Sequence, residues 1–288
     1  MVELMNETFD VINFHLTETC NYICTYCFAK FNNSKELKLE EWISLVDKVY
    51  DYFQENNIKE GRINLAGGEP LLLGYLDKLI DYIYSKKIKV SIISNGSLLT
   101  ANQIDAWSGK VDTLGISIDS VNDETNRMIG RHSKSKTLDL NKTISLLEYA
   151  KSKHIRVKIN TVVSKLNLNE NLNILYERFP FDRIKLLQIR INKNCNESSM
   201  NHSITFEEFN HYCSKVNPYQ TLIVESEQDI ECAYIVIDPQ GYLVTNKNGE
   251  HQKVGQVIKH SLQDLILQAG INYKTFSKRY KEKEMQST

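Results

Sequence analysis

Cys20, Cys24 and Cys27 fall within eight residues, in the spacing Cys-x3-Cys-x2-Cys. Three thiols this close are a metal-ligand pattern with a member missing. A structural zinc site needs a fourth ligand, and such sites are usually built from two CxxC-like pairs. Cys195, Cys213 and Cys232 stand far apart and make no second pair. His15 lies on the strand before the cysteines, and half of the possible strand registers point it away from a loop site. An iron–sulfur cluster of four irons normally takes four cysteines. Three leave one iron open to bind a molecule that reacts. A zinc site, a reactive CxxC pair and three unrelated buried thiols are the other readings of the pattern.

Further polar residues gather where strands are expected to end. Ala66-Gly67-Gly68-Glu69-Pro70 carries two glycines, which permit close backbone approach, and a carboxylate able to take an ammonium group. Ser94 and Asn95, then Ser117 and Asp119, close the next two apolar runs, and Asn126 and Arg131 follow on a short helix and its exit. Lys158 and Asn160 alternate on one strand, and Arg183 and Lys185 on the next, so each pair faces one side. If both sides turn inward, Lys158, Arg183 and Lys185 share one wall.

The elements that must position these groups read as alternating strands and helices. Short β-branched runs predict strands at residues 11–17, 62–66, 89–94, 113–118, 155–162 and 183–189. Helical spacing marks residues 39–55, 76–84, 138–151 and 168–178. Such alternation implies a parallel sheet with crossover helices, whose functional residues lie at the carboxyl ends of the strands. Six units are too few for a closed eight-fold barrel, so we expect an α/β partial (βα)6 barrel. After Arg190 the pattern changes. Residues 192–203 read as a polar loop, and residues 205–216 as a helix opened by a Thr205/Glu208 capping box. Asp238-Pro-Gln-Gly241 reads as the turn of a β-hairpin begun by Tyr234. The charged tail from Ser277 reads as frayed. One continuous domain is expected, with a core over residues 1–190 and an extension over 191–288 that completes the substrate pocket.

Composition narrows the class. Lys and Arg number 35 against 36 Asp and Glu, for a net charge of −1, so no global field draws nucleic acid or an anionic membrane. Mean hydropathy is −0.38, and no apolar run reaches the length of a membrane span. MVELMNETFD lacks the apolar core of an export signal, so a cytoplasmic protein with reduced cysteines is expected.

The cysteine spacing, with Tyr26 before the third cysteine, resembles the signature of the radical S-adenosylmethionine (SAM) superfamily. The GGEP stretch matches a second motif of that superfamily in the right order. VSIISNGSLL, LGISIDSVNDETNRMIGR, VKINTVVSKLNLNENL and the segment from Glu225 to Tyr234 extend the resemblance to the viperin family. The resemblance implies a [4Fe-4S] cluster on Cys20, Cys24 and Cys27, with SAM chelated at the open iron. It places SAM contacts at Tyr26, Gly67, Gly68, Glu69, Ser94, Asn95, Ser117, Asp119, Asn126 and Arg131. It implies a nucleoside triphosphate substrate bound by Asn13, Lys158, Asn160, Arg183, Lys185, Glu225 and Tyr234, with Lys158 and Tyr234 as the catalytic pair. The expected reaction is dehydration to a 3′-deoxy-3′,4′-didehydro nucleotide, a terminator of viral RNA synthesis. A flavodoxin or ferredoxin is the expected kind of electron donor, and neither nucleic acid nor membrane is expected as a partner. A peptide-modifying radical SAM maturase and a zinc-binding interaction module are the competing readings.

Overall fold

The computed structural model describes residues 8–31, 35–216 and 222–280. Six parallel strands follow the expected order: β1 (Val11–His15), β2 (Arg62–Ala66), β3 (Lys89–Ser94), β4 (Val111–Ser117), β5 (Arg156–Val163) and β6 (Arg183–Gln188). Between them run α1 (Leu39–Glu55), α2 (Leu76–Ser85), α3 (Ala101–Trp107), α4 (Asp123–Ile129), α5 (Leu140–Ser152) and α6 (Asn173–Arg178). α6 is shorter than the helical pattern over 168–178, because residues 164–171 turn through hydrogen bonds around Asn167 instead.

The sheet grows beyond the six strands expected. After α7 (Phe206–Ser214), β7 (Leu222–Glu225) adds in parallel to β6. After α8 (Glu227–Ile230), β8 (Val236–Ile237) adds in parallel to β1. The hairpin partner β9 (Tyr242–Thr245) and β10 (Gln252–Gln256) then extend that edge antiparallel, followed by α9 (Leu262–Ala269) and α10 (Tyr273–Tyr280). The order β10-β9-β8-β1-β2-β3-β4-β5-β6-β7 leaves β10 and β7 as the two edges, so the barrel is open. The Thr205/Glu208 capping box is present as expected, and residues 197–202 of the polar loop form a short 3-10 turn. Two expectations are corrected. Tyr234 lies two residues before the strand it was expected to start. The tail is ordered through Tyr280 in α10 and carries a buried Arg279; residues 281–288 lie outside the described residues.

Register separates the two faces of the sheet. Ile12, Phe14, Ile63, Leu65, Val90, Ile92, Leu114, Ile116, Val157, Ile159, Ile184 and Leu186 share the outer face and are all buried beneath the helices. Each such side chain stabilises the fold by about 1.5–3 kcal/mol. The alternate positions line the lumen, and there the residues turn polar: Asn13 pairs with Asn64, Asn64 with Ser91, Gly115 with Lys158, Lys158 with Arg183, and Asn160 with Lys185. An enclosed face of this kind carries polar groups only where something must meet them.

Candidate active site

The cysteines sit on the loop that leaves the carboxyl end of β1. Backbone contacts from two sides clamp it. Ile23 and Thr25 N–H groups donate to the carbonyls of Gly130 and Ile129 at the end of α4 (3.1 and 2.8 Å), while Ser199 and Asn196 side chains donate to the carbonyls of Thr25 and Tyr26 (2.7 and 3.0 Å). The GGEP turn fastens the loop from below: Gly68 N–H donates to Thr17 O at 2.6 Å and Glu69 N–H to Thr19 O at 2.9 Å. A Cβ on Gly67 would stand 2.6 Å from Thr17 O, and one on Gly68 would stand 2.2 Å from Thr19 O. The close approach these glycines permit is to the backbone of the cysteine loop itself. Gly130, in the left-handed region (φ 87°), does the same on the other side, where a Cβ would meet Ile23 O at 2.4 Å.

All three cysteines are free and half-buried, and each lies close enough for the charge of one to disfavour the charge of another. Burial pushes the Cys20 thiol up and the Cys24 thiol up to about 11. Burial thus disfavours the thiolate forms, and iron, which is held by thiolates, would supply the charge that offsets burial. Among the described residues no three His, Cys, Asp or Glu side chains converge as ligands of a single ion. In a four-iron cluster each cysteine holds a different iron, so the sulfurs need not converge on one point. His15, on the lumen face, packs against the rings of Phe28 and Phe31, and burial lowers its imidazole to about 3.

The strand ends around this loop form its rim. Glu69 is fully buried; its carboxylate accepts from Ser94 Oγ (2.8 Å), Asn95 N–H (2.7 Å) and Leu71 N–H (3.1 Å). A carboxylate has about four lone-pair sites, so one remains for an ammonium group. Burial raises the Glu69 carboxyl, with the three donors opposing; an arriving cation would favour its ionised form. Asn95 reaches the cysteine loop through Asn21 Oδ1 at 2.8 Å and the Cys20 sulfur at 3.8 Å. Asp119, also fully buried, accepts from Tyr26 Oη (2.5 Å), from Arg131 Nε and from Val162 N–H (2.7 Å). Asp119 and Ser94 thus turn onto protein partners and orient their neighbours. Asn95, Ser117, Asn126 and Arg131 line one small cleft together with Tyr22. Four of the ten SAM contacts implied by the resemblance therefore share one concavity beside the cysteine loop. The amide, hydroxyl and guanidinium donors there suit an amino acid carboxylate and ribose hydroxyls.

Deeper in the lumen the cations converge. Register carries Lys158, Arg183, Asn160 and Lys185 onto one wall. Burial lowers the Lys158 ammonium well below its usual range, and Lys185, Arg183 and Arg62 repel it further. No carboxylate pairs with Lys158 among the described residues. A Cβ on Gly115 would meet Lys158 Cε at 2.5 Å, so the missing side chain on β4 makes the room in which Lys158 lies. Glu225 joins Lys185 (2.6 Å) and accepts from Tyr234 Oη (2.5 Å). Burial opposes the Glu225 charge, but Lys185 and Arg279 more than offset it and hold the carboxyl below its usual range. Asn13 belongs to another part of the lumen, bonded to Asn64 and to Ile235 O.

Several participants escaped the sequence reading. Arg62 starts β2 and faces the lumen near Lys158, but in sequence it is one more basic residue at a strand boundary. Arg279 hid in a charged tail. Asn21, Gly115 and Gly130 act through packing against partners distant in sequence, and only the resemblance, which already covered the last two, could have flagged them.

A cluster-spacing cysteine loop, a GGEP turn fastened beneath it and an open parallel barrel define a radical SAM enzyme. Residues 14–175 match the Radical SAM superfamily. The chain is 31% identical over 95% of its length to an S-adenosylmethionine-dependent nucleotide dehydratase of Flammeovirga pacifica, covering 95% of that protein, and 31% identical over 93% to one of Selenomonas ruminantium, covering 98%. It belongs to the family of viperin-like S-adenosylmethionine-dependent nucleotide dehydratases, and its cofactors are SAM and a [4Fe-4S] cluster. In fold it is similar to Streptococcus suis SuiB bound to S-adenosylmethionine, with a TM-score of 0.66 at 15% identity, covering 98% of this chain and 71% of that one.

Proposed function

We propose that this enzyme dehydrates a nucleoside triphosphate, one of CTP, UTP or GTP, to its 3′-deoxy-3′,4′-didehydro analogue, an antiviral chain terminator of RNA synthesis. It does so in the cytoplasm, with electrons from a small carrier such as a flavodoxin or ferredoxin. The observation that carries the reading is the shared wall of Lys158, Arg183 and Lys185, where Lys158 pairs in register with Arg183 and Asn160 with Lys185. Several convergent cations suit a triphosphate far better than a peptide.

The residues then divide by task. Cys20, Cys24 and Cys27 hold the cluster; Tyr26, Gly67, Gly68, Glu69, Ser94, Asn95, Ser117, Asp119, Asn126 and Arg131 build or orient the SAM site. SAM held there would supply the radical chemistry that removes the C4′ hydrogen atom of the ribose; departure of the 3′ hydroxyl as water would then consume one proton and one electron, the electron coming from the carrier. Lys158, Arg183 and Lys185 hold the phosphate chain, and Asn13 and Asn160 face the nucleoside. Fixing the phosphates fixes the ribose, and hydrogen transfer needs a short, aligned contact. Tyr234, hydrogen-bonded between Lys185 and Glu225, carries a phenol proton into the same wall.

The triphosphate, diphosphate and free nucleoside of one base, each supplied to the reduced, cluster-loaded enzyme with SAM, test this reading. Product should fall steeply as phosphates are removed. Equal yields from all three would overturn the phosphate-clamp reading.

A further inference from the structure

Lys185 presents a conflict. It is expected to hold phosphate, yet in the protein alone its ammonium lies 2.6 Å from Glu225 Oε1 and donates to Tyr234 Oη at 2.5 Å. A lysine neutralised by a buried carboxylate is a poor anion ligand. Drawing it away would leave Glu225, only 3% exposed, as a buried anion short of a cation, which is strongly unfavourable.

Arg279 resolves this. From α10 its Nε reaches the same oxygen, Glu225 Oε1, at 2.6 Å. Its other two nitrogens donate to Ala233 O (2.6 Å) and Asp229 O (2.7 Å), and its guanidinium lies over the Tyr234 ring, 3.9 Å from the centroid. All three nitrogens are committed to protein acceptors, and the side chain is 3% exposed. Lys185, at 14% exposed, has a flexible stem and a single mobile charge. One cation is fixed and the other is able to move.

We propose that Arg279 is a positioning residue of the nucleotide site: it keeps Glu225 paired, so that Lys185 can leave that carboxylate for the phosphate chain of a bound nucleotide. The proposal rests on the nucleoside triphosphate reading. The charges support it, because two cations share one carboxylate and leave the group at +1, whereas without Arg279 the Lys185–Glu225 pair would sum to zero. Burial pulls the Lys185 ammonium down to about 8, with Glu225 opposing and Arg279 adding to the drop, so a second anion on Lys185 would find it readily charged near neutral pH. Arg279 also bridges β7 to the segment entering β8, across the open side of the barrel, so the end of the chain tunes a wall built by its middle.

Calorimetric binding to the cluster-loaded, unreduced enzyme with SAM tests the proposal, with CTP, UTP, GTP and inorganic tripolyphosphate as probes. Arg279→Ala should weaken binding of tripolyphosphate, and of whichever nucleotide binds the parent, by about tenfold or more, the scale of one charge-assisted contact. Adding Glu225→Gln to Arg279→Ala should recover most of the loss, since no anion then holds Lys185 back. A mere structural tie would show no such rescue. Parent-like binding by Arg279→Ala, or a double variant no better than the single, would overturn the proposal. If Arg279→Ala does not fold, Arg279→Gln, which keeps donors and removes the charge, carries the same expectations. A parent enzyme that binds none of the probes would overturn the nucleotide reading and this inference with it.

Discussion

Gly68→Ala is the sharpest perturbation the geometry offers. The added Cβ would lie 2.2 Å from Thr19 O and 2.6 Å from Thr19 C, where ordinary contact begins at 3.4 Å, so the obstacle is backbone and must retreat by about 1.2 Å. Forced overpacking costs about 1–3 kcal/mol. Straining the hydrogen bonds from Gly68 to Thr17 and from Glu69 to Thr19 adds about 1 kcal/mol for each one lost. Thr19 adjoins Cys20, so the displacement passes directly into the ligand loop. The variant should keep its far-ultraviolet circular dichroism, lose about 2–5 kcal/mol in urea unfolding, and take up far less iron per chain on anaerobic reconstitution. Gly74→Ala is the matched control, because nothing lies within 4 Å of the added Cβ. If Gly68→Ala loads iron and binds SAM as well as Gly74→Ala, the glycine does not serve the cysteine loop and the reasoning fails.

Three further outcomes follow from the site. Asp119→Asn leaves Arg131, its side chain 12% exposed, without its counter-charge, and should lower stability by up to about 3 kcal/mol and abolish measurable SAM affinity, read by thermal unfolding and equilibrium binding. Gly115→Ala drives a methyl to 2.5 Å from Lys158 Cε and 2.8 Å from Ile93 Cδ1, so it should weaken tripolyphosphate binding while leaving iron content unchanged. Nucleotide affinity should also depend on pH through Lys185. With its free-state pKa lowered to about 8, the ammonium is charged below that value and neutral above it. Binding should therefore weaken as the pH rises through about 8, by up to about tenfold per pH unit for that one linked proton; a titration flat from about pH 7 to pH 10 would contradict the role of Lys185.

Much of the core was legible in the sequence because its outer face is strictly apolar. In β5 and β6 the alternation of Val157, Ile159, Ile184 and Leu186 with Lys158, Asn160, Arg183 and Lys185 announced both the strands and the wall they make. The extension was less legible. β10, Gln-Lys-Val-Gly-Gln, has almost no apolar signal and exists because β9 offers it a partner. α10 reads as a charged tail because the carboxylate and carbonyls that order Arg279 lie 46–54 residues away. Gly67 and Gly68 announced a close approach without saying to what; the answer, the Thr17–Thr19 backbone, depends on β1 and β2 lying side by side.

The central claim, that the lumen wall holds a nucleoside triphosphate for dehydration, is tested most directly by product mass. The anaerobically reconstituted, reduced enzyme is incubated with SAM and, separately, with CTP, UTP and GTP. The account predicts that one of these triphosphates loses a single water, with SAM cleaved in step. Cleavage of SAM with every nucleotide recovered at its original mass would contradict it.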